Sequence, residues 1–271
     1  MVEADQVLRP GRRGARFVAL LALGVRLSRR GFVAVLALVL AFFTVASMSV
    51  FAFVLAARSR SAPVYDLPIL ASSALAWGGG FLLAFAVATR VLRKDRDSGV
   101  RDLLTARSAS LRGYLVARIG GLAALLAIVA GGGTLVCGLF AILARGAVAT
   151  RTMQTTLAAI AYAIAFAGVM APVAFAALGA RSRIGGYMFL VTVVLLPEVL
   201  VLAFASILSE DIAEVAAIPA ALSTLRAALL PGHIDISRAL RALVALATYG
   251  AFATALVRRD AILVTRPEIG E

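Results

Sequence analysis

Long, strongly apolar runs separated by short basic segments dominate this chain of 271 residues. A helix that crosses a bilayer needs about 20 mostly apolar residues. Five uncharged runs reach that length, at 31–57, 67–89, 119–144, 152–180 and 184–209, the last interrupted only by Glu198. A sixth run, 242–257, is short, but Arg238 and Arg241 can snorkel to the headgroups, so its helix is expected to start near Ile236. The expected fold is all-α and polytopic, one transmembrane domain over 1–271 with spans at 31–57, 67–90, 115–144, 152–180, 184–209 and 236–257.

Three segments between the runs carry further structure. The apolar stretch 17–25 is too short to cross and lies between Arg12, Arg13 and Arg16 on one side and Arg26, Arg29 and Arg30 on the other. Within the tail 1–30 it reads as an N-terminal interfacial helix, or as an extension of the first span. The segment 210–235 holds two apolar pieces divided by Pro219 and bounded by Glu214 and Arg226, neither long enough to span. It reads as short external helices packed on or dipping into one membrane face before the last span. The segment 91–114 is the longest polar loop between spans.

Composition agrees with a bilayer as solvent. The chain is 62% hydrophobic and 15% charged, with mean hydropathy +0.99, whereas soluble domains are about half apolar and about a quarter charged. Its net charge of +13 and pI near 11.4 would suit a nucleic-acid binder only if the basic residues formed a patch. They are dispersed between apolar runs, so membrane lipids are expected around the chain and nucleic acid is not an expected partner. In the six-span arrangement 20 of the 27 basic residues fall on the side of the two termini, which places both termini in the cytoplasm of a bacterial inner membrane. No cleavable signal peptide is expected, because 17–25 lacks a small-residue cleavage site. Cys137 is the only cysteine, so no internal disulfide can form.

The loop 91–114 is the richest in candidate chemistry. Arg93-Lys94-Asp95-Arg96-Asp97-Ser98-Gly99 is charged and turn-like, and Val100-Arg101-Asp102-Leu103-Leu104-Thr105-Ala106 reads as a short amphipathic helix. Its apolar pair, Leu103 and Leu104, wants a partner surface or the lipid headgroups. The run from Asp97 through Gly99 to Asp102-Leu103-Leu104, followed by Ser110 and Tyr114-Leu115-Val116-Ala117-Arg118, resembles the loop of ABC transporter permeases of the type 2 exporter family. That family has an acidic residue before Gly-Thr, a Leu-rich coupling helix, then Pro-x-Ser and Tyr-Leu-x-x-Lys. Here Val100, Ser108 and Arg118 replace the family's Thr, Pro and Lys.

The resemblance implies a permease subunit that pairs with a second one, the same chain or a paralogue. Each would dock a cytoplasmic coupling helix on one of two ABC ATPase subunits. Asp97, Gly99, Arg101, Asp102, Leu103 and Leu104 would then carry ATPase coupling. ATP and magnesium would bind the partner ATPase, and this chain would bind no cofactor and be no enzyme itself. Consistently, Lys94 is followed by Asp95 and preceded by no glycine loop, so it is not a phosphate-loop lysine.

Inside the spans, Glu198 beside Pro197 is the sole acid and a charge costly in hydrocarbon. The pair reads as a kinked, hydrated point on a transport path or gate. Alternatively, Glu198 is a structural acid paired with Arg238 or Arg241, or open to water. Gly78-Gly79-Gly80 and Gly131-Gly132-Gly133 suit close helix packing, and Trp77 reads as filling space beside them. Ser47 and Ser49 either line a polar path or bond to their own helix. His233, the only histidine, has no catalytic partners in its pattern, and one His with one Cys makes no zinc site. Two rivals to a transporter remain: a component passing ATP-driven motion to envelope machinery, and a self-contained lipid-modifying enzyme, which the absent metal and nucleophile motifs disfavour.

Overall fold

Hydrocarbon gives a backbone no hydrogen-bond partners, so an apolar run satisfies its own amides by coiling into a helix. The computed structural model of the chain describes residues 10–28, 32–58, 66–99, 111–144, 149–179, 183–204, 207, 209–232 and 234–263, and these are helical with no strand. In chain order the helices are α1 (Pro10–Ser28), α2 (Phe32–Arg58), α3 (Leu67–Ala88), α4 (Val91–Asp97) and α5 (Gly113–Ala144). They continue with α6 (Ala149–Leu178), α7 (Ile184–Ala203), α8 (Glu210–Ala213), α9 (Ile218–Ala228) and α10 (Ile236–Leu263). Six of them, α2, α3, α5, α6, α7 and α10, are long and apolar enough to cross a membrane, and the protein is a multi-pass membrane protein.

The central helix is α6. Of its span 67% is buried, against 17% for α7 and 22% for α2 and α10. Lipid tails are as apolar as leucine, so close packing rather than transfer from water must hold these helices together. Alanines supply it: Ala158, Ala159, Ala163, Ala167, Ala171 and Ala174 are all buried and let neighbours approach α6 on several sides. Phe166, Met170 and Phe175 fill the space between. Helices α3, α5, α7, α9 and α10 pack on α6, while α2 packs on α3 and α5 from outside. The outward face of α2 presents Phe42, Phe43 and Val50, as a lipid-facing surface does.

Several span ends differ from the sequence reading. Helix α5 takes in Gly113 and Tyr114 ahead of the expected start at 115, and α10 runs on to Leu263 rather than stopping at 257. Helix α7 stops at Ala203 rather than Ser209, because Phe204 leaves helical geometry at φ −107° and ψ 18°. Both glycine triplets fall at π-turns, Leu75–Gly80 in α3 and Ala127–Gly132 in α5. Only some of these glycines permit contact. A Cβ at Gly133 would meet Leu75 at 2.7 Å and one at Gly79 the Ala37 carbonyl at 3.3 Å, whereas Gly78, Gly131 and Gly132 face open space.

The tightest crossing lies elsewhere. A Cβ on Gly24 would sit 1.9 Å from the Ala117 carbonyl oxygen, and one on Gly121 would sit 2.4 Å from the Gly24 Cα. Helix α1, longer than the expected 17–25, is therefore seated by Gly24 backbone-to-backbone on the first turns of α5.

Candidate functional site

Among the described residues, the root of the 91–114 loop is held by a dense set of polar contacts. Helix α3 ends at Ala88, Thr89 turns to ψ 113°, and Arg90 takes a positive φ of 54° before α4 begins at Val91. For a non-glycine residue that conformation costs about 1–2 kcal/mol. The turn is held by two backbone bonds to the end of α6: Arg90 N–H donates to Leu178 O at 2.9 Å, and Leu92 N–H donates to Gly179 O at 3.1 Å. Gly179 must be small here, since its Cβ would meet Phe175 O at 2.6 Å and the Leu92 side chain at 3.2 Å.

One turn further on, Asp95 points into the protein and is 4% exposed. Its Oδ2 accepts from the Tyr114 hydroxyl at 2.6 Å and from Arg118 Nε at 2.7 Å, and its Oδ1 accepts from Arg118 Nη2. The guanidinium thus grips the carboxylate with both arms, the geometry in which Arg outperforms Lys. Tyr114 and Arg118 lie four residues apart and so share a face of α5. With the α6 clamp, this cluster binds α4 rigidly to two spans. The sequence reading used Tyr114 and Arg118 only as motif and charge markers and gave Asp95 no role.

Helix α4 closes with Gly99 at φ 68°, the left-handed turn that glycine adopts without strain, after Ser98 N–H bonds to Lys94 O at 3.0 Å. Asp97 and Ser98 are exposed beside it. Arg101, Asp102, Leu103 and Leu104, named above for ATPase coupling, lie outside the described residues, as do Ser108, Ser110 and His233.

On the opposite side of the bundle, α9 is inserted rather than laid on top: Ile218, Ala221, Leu222 and Leu225 are all buried. Arg226 anchors it, with Nη1 donating to Ser73 Oγ of α3 and the guanidinium lying 4.8 Å from the Tyr162 ring centroid of α6. The Tyr162 hydroxyl accepts from Trp77 Nε1 at 2.7 Å. Trp77 therefore does more than fill space, because its indole N–H ties α3 to α6 at this anchor. Ser49 donates to Val45 O at 2.7 Å within its own helix.

The acids around α8 are likewise engaged. Glu214 pairs with Arg238, and Asp211 pairs with Arg241 at 2.7 Å. Asp235 caps α10, accepting from the Arg238 backbone N–H at 2.9 Å and the Ser237 hydroxyl at 2.7 Å; these bonds hold its carboxyl below the usual range.

Glu198 is left without these partners. Pro197 and Glu198 follow the π-turn Val191–Leu195, and Glu198 continues the inward stripe of Leu190 and Val194 on α7. Its Oε2 is buried with no hydrogen-bond partner among the described residues. The arginines expected as its alternative partners, Arg238 and Arg241, are bound to Glu214 and Asp211. One turn along α7, Leu200, Val201 and Phe204 join Pro197 and Ala216 around an apolar cleft of about 390 Å³.

No family model matches the chain, and no curated protein or solved structure is detectably similar to it.

Proposed function

We propose that this chain is the permease subunit of an ATP-driven ABC exporter, working as one of two such subunits with a separate pair of ATPase subunits. In this reading both termini face the cytoplasm of a bacterial inner membrane, α1 is the interfacial helix, the 91–114 segment carries the coupling helix, and α8 and α9 are the external helices. The observation that carries the proposal is the root of the loop. Asp95, Tyr114 and Arg118 form a buried, bidentate cluster, and the Arg90 and Leu92 amides clamp the same turn to α6. A surface loop needs no such fixture merely to connect two spans. A loop that receives a push and passes it to the bundle does, since a hinge at its base would absorb the stroke. The transport path would run between two subunits, with Pro197 and Glu198 as its gate.

ATP-dependent substrate movement tests the coupling role. Gly99→Pro combined with Leu104→Asp is expected to abolish it in reconstituted vesicles. Proline cannot take the positive φ of residue 99, and the aspartate would remove the apolar contact proposed for Leu104 on the ATPase. Unchanged transport by this variant refutes the coupling role of the loop. An ATP-dependent conformational cycle with no substrate movement assigns the chain instead to motion transfer. Lipid turnover without any ATPase assigns it to the enzymes.

A further inference from the structure

The turn that fixes the loop also builds a basic cavity. Thr89, Arg90, Arg93, Lys94, Asp97 and Ser98 line an open groove of about 680 Å³ where α3 ends. Arg90, Arg93 and Lys94 are exposed, and none of them forms an ion pair among the described residues. The one acid on the lining, Asp97, leaves an excess of positive charge. The buried acid nearby, Asp95, is already taken by Arg118. A glycine would hold the positive φ of residue 90 freely, yet an arginine sits there under strain, so its side chain has a use where it stands.

Position decides what the cavity receives. Arg90 follows the last residue of a membrane-crossing helix by two, which is headgroup depth. Thr89, Lys94 and Ser98 also line a second cleft of about 250 Å³, whose other walls are Leu27 of α1, Ala86 and Val87 of α3, Val91 of α4 and the mutually paired Asp95 and Arg118. Four apolar side chains, Leu27, Ala86, Val87 and Val91, thus stand beside the cations, and the acid and base between them neutralise each other. A free anion or an acidic protein side chain has no use for those apolar walls, whereas a phospholipid carries its glycerol and acyl chains next to its phosphate.

We infer that this pair of clefts is a binding site for the headgroup of an anionic phospholipid, with Arg90, Arg93 and Lys94 on the phosphate and Leu27, Ala86 and Val87 beside the first carbons of the chains. The inference requires only that the protein lies in a membrane and is independent of any ATPase partner.

The test is native mass spectrometry of the purified full chain in neutral detergent, titrated with phosphatidylglycerol or phosphatidylcholine. Wild type is expected to retain phosphatidylglycerol preferentially. Each cation removed should weaken that retention about fivefold, so Arg93→Gln with Lys94→Gln should weaken it about 25-fold. Arg90→Gly keeps the backbone turn and relieves its strain, so it should lose lipid while the protein stays folded. Arg258→Gln with Arg259→Gln removes two exposed cations from the far end of α10 and should leave retention within twofold of wild type. An equal loss in that control means diffuse surface attraction and overturns the site. Complete displacement of phosphatidylglycerol by millimolar inorganic phosphate overturns the lipid as its ligand. Undiminished retention by the Arg93, Lys94 and Arg90 variants overturns the proposal, whether or not those variants lose a protein partner.

Discussion

Replacing Arg118 with methionine is expected to destabilise the folded protein by about 3–5 kcal/mol, the cost of leaving one member of a buried ion pair alone. The structure supports the upper part of that range. The Arg118 and Asp95 side chains are only 7% and 5% exposed, so water replaces the missing partner poorly. Two charge-assisted hydrogen bonds are lost, each worth about 1.5–3 kcal/mol, and only the Tyr114 hydroxyl still faces the carboxylate. Asp95→Leu combined with Arg118→Met should recover most of the loss, because an apolar pair leaves no buried charge. Equilibrium unfolding in mixed micelles, followed by loss of helicity, measures Asp95→Leu, Arg118→Met and the double variant. A loss below about 1 kcal/mol for Arg118→Met, or a double variant as unstable as the two single losses added, refutes the claim that this pair locks the loop root.

Gly24→Ala is expected to lift α1 off α5, since the added carbon would lie 1.9 Å from the Ala117 carbonyl; limited proteolysis should then cut within α1, as it should not in wild type. Tyr162→Phe removes the acceptor for the only tryptophan of the chain, Trp77, so the emission maximum of that single fluorophore should shift while overall helicity is kept. Asp235 has a lowered folded pKa, so its stabilisation of the first turn of α10 should be complete above its ordinary carboxylate range and fade as pH falls through the folded value. Hydrogen exchange at the Arg238 amide should show that fading in wild type and not in Asp235→Asn.

Span number was legible in the sequence because the rule behind it is one-dimensional: a bilayer demands a minimum apolar length, and charge-free runs measure it. The polar contacts of the candidate site were not legible, because they join residues far apart in the chain. Asp95 meets Tyr114 and Arg118 across the whole loop, and Arg226 reaches Ser73 from the far half of the chain. The one local trace was the four-residue spacing of Tyr114 and Arg118, which puts both on one helix face. That spacing could not name the partner, since Asp95, which neutralises Arg118 inside the helix end, lies on the other side of the loop. The glycine triplets pointed to close packing, which Gly79 and Gly133 make, but the tighter backbone approach of Gly24 to Gly121 had no such conspicuous run to mark it. Glu198 was visible as an anomaly from the sequence, and its isolation became visible only once Arg238 and Arg241 were seen bound to other acids.

The central claim is that the loop fixed by Asp95 and Arg118 docks an ATPase, and co-purification tests it most directly. Tagged wild type and Leu104→Asp are extracted in parallel in several mild detergents, the bound proteins are identified and ATP hydrolysis is assayed. Recovery of an ATP-hydrolysing partner with wild type and its loss from the folded Leu104→Asp protein is the predicted result. Folded wild type that brings down no ATPase in any detergent, or a partner retained in full by Leu104→Asp, contradicts the account.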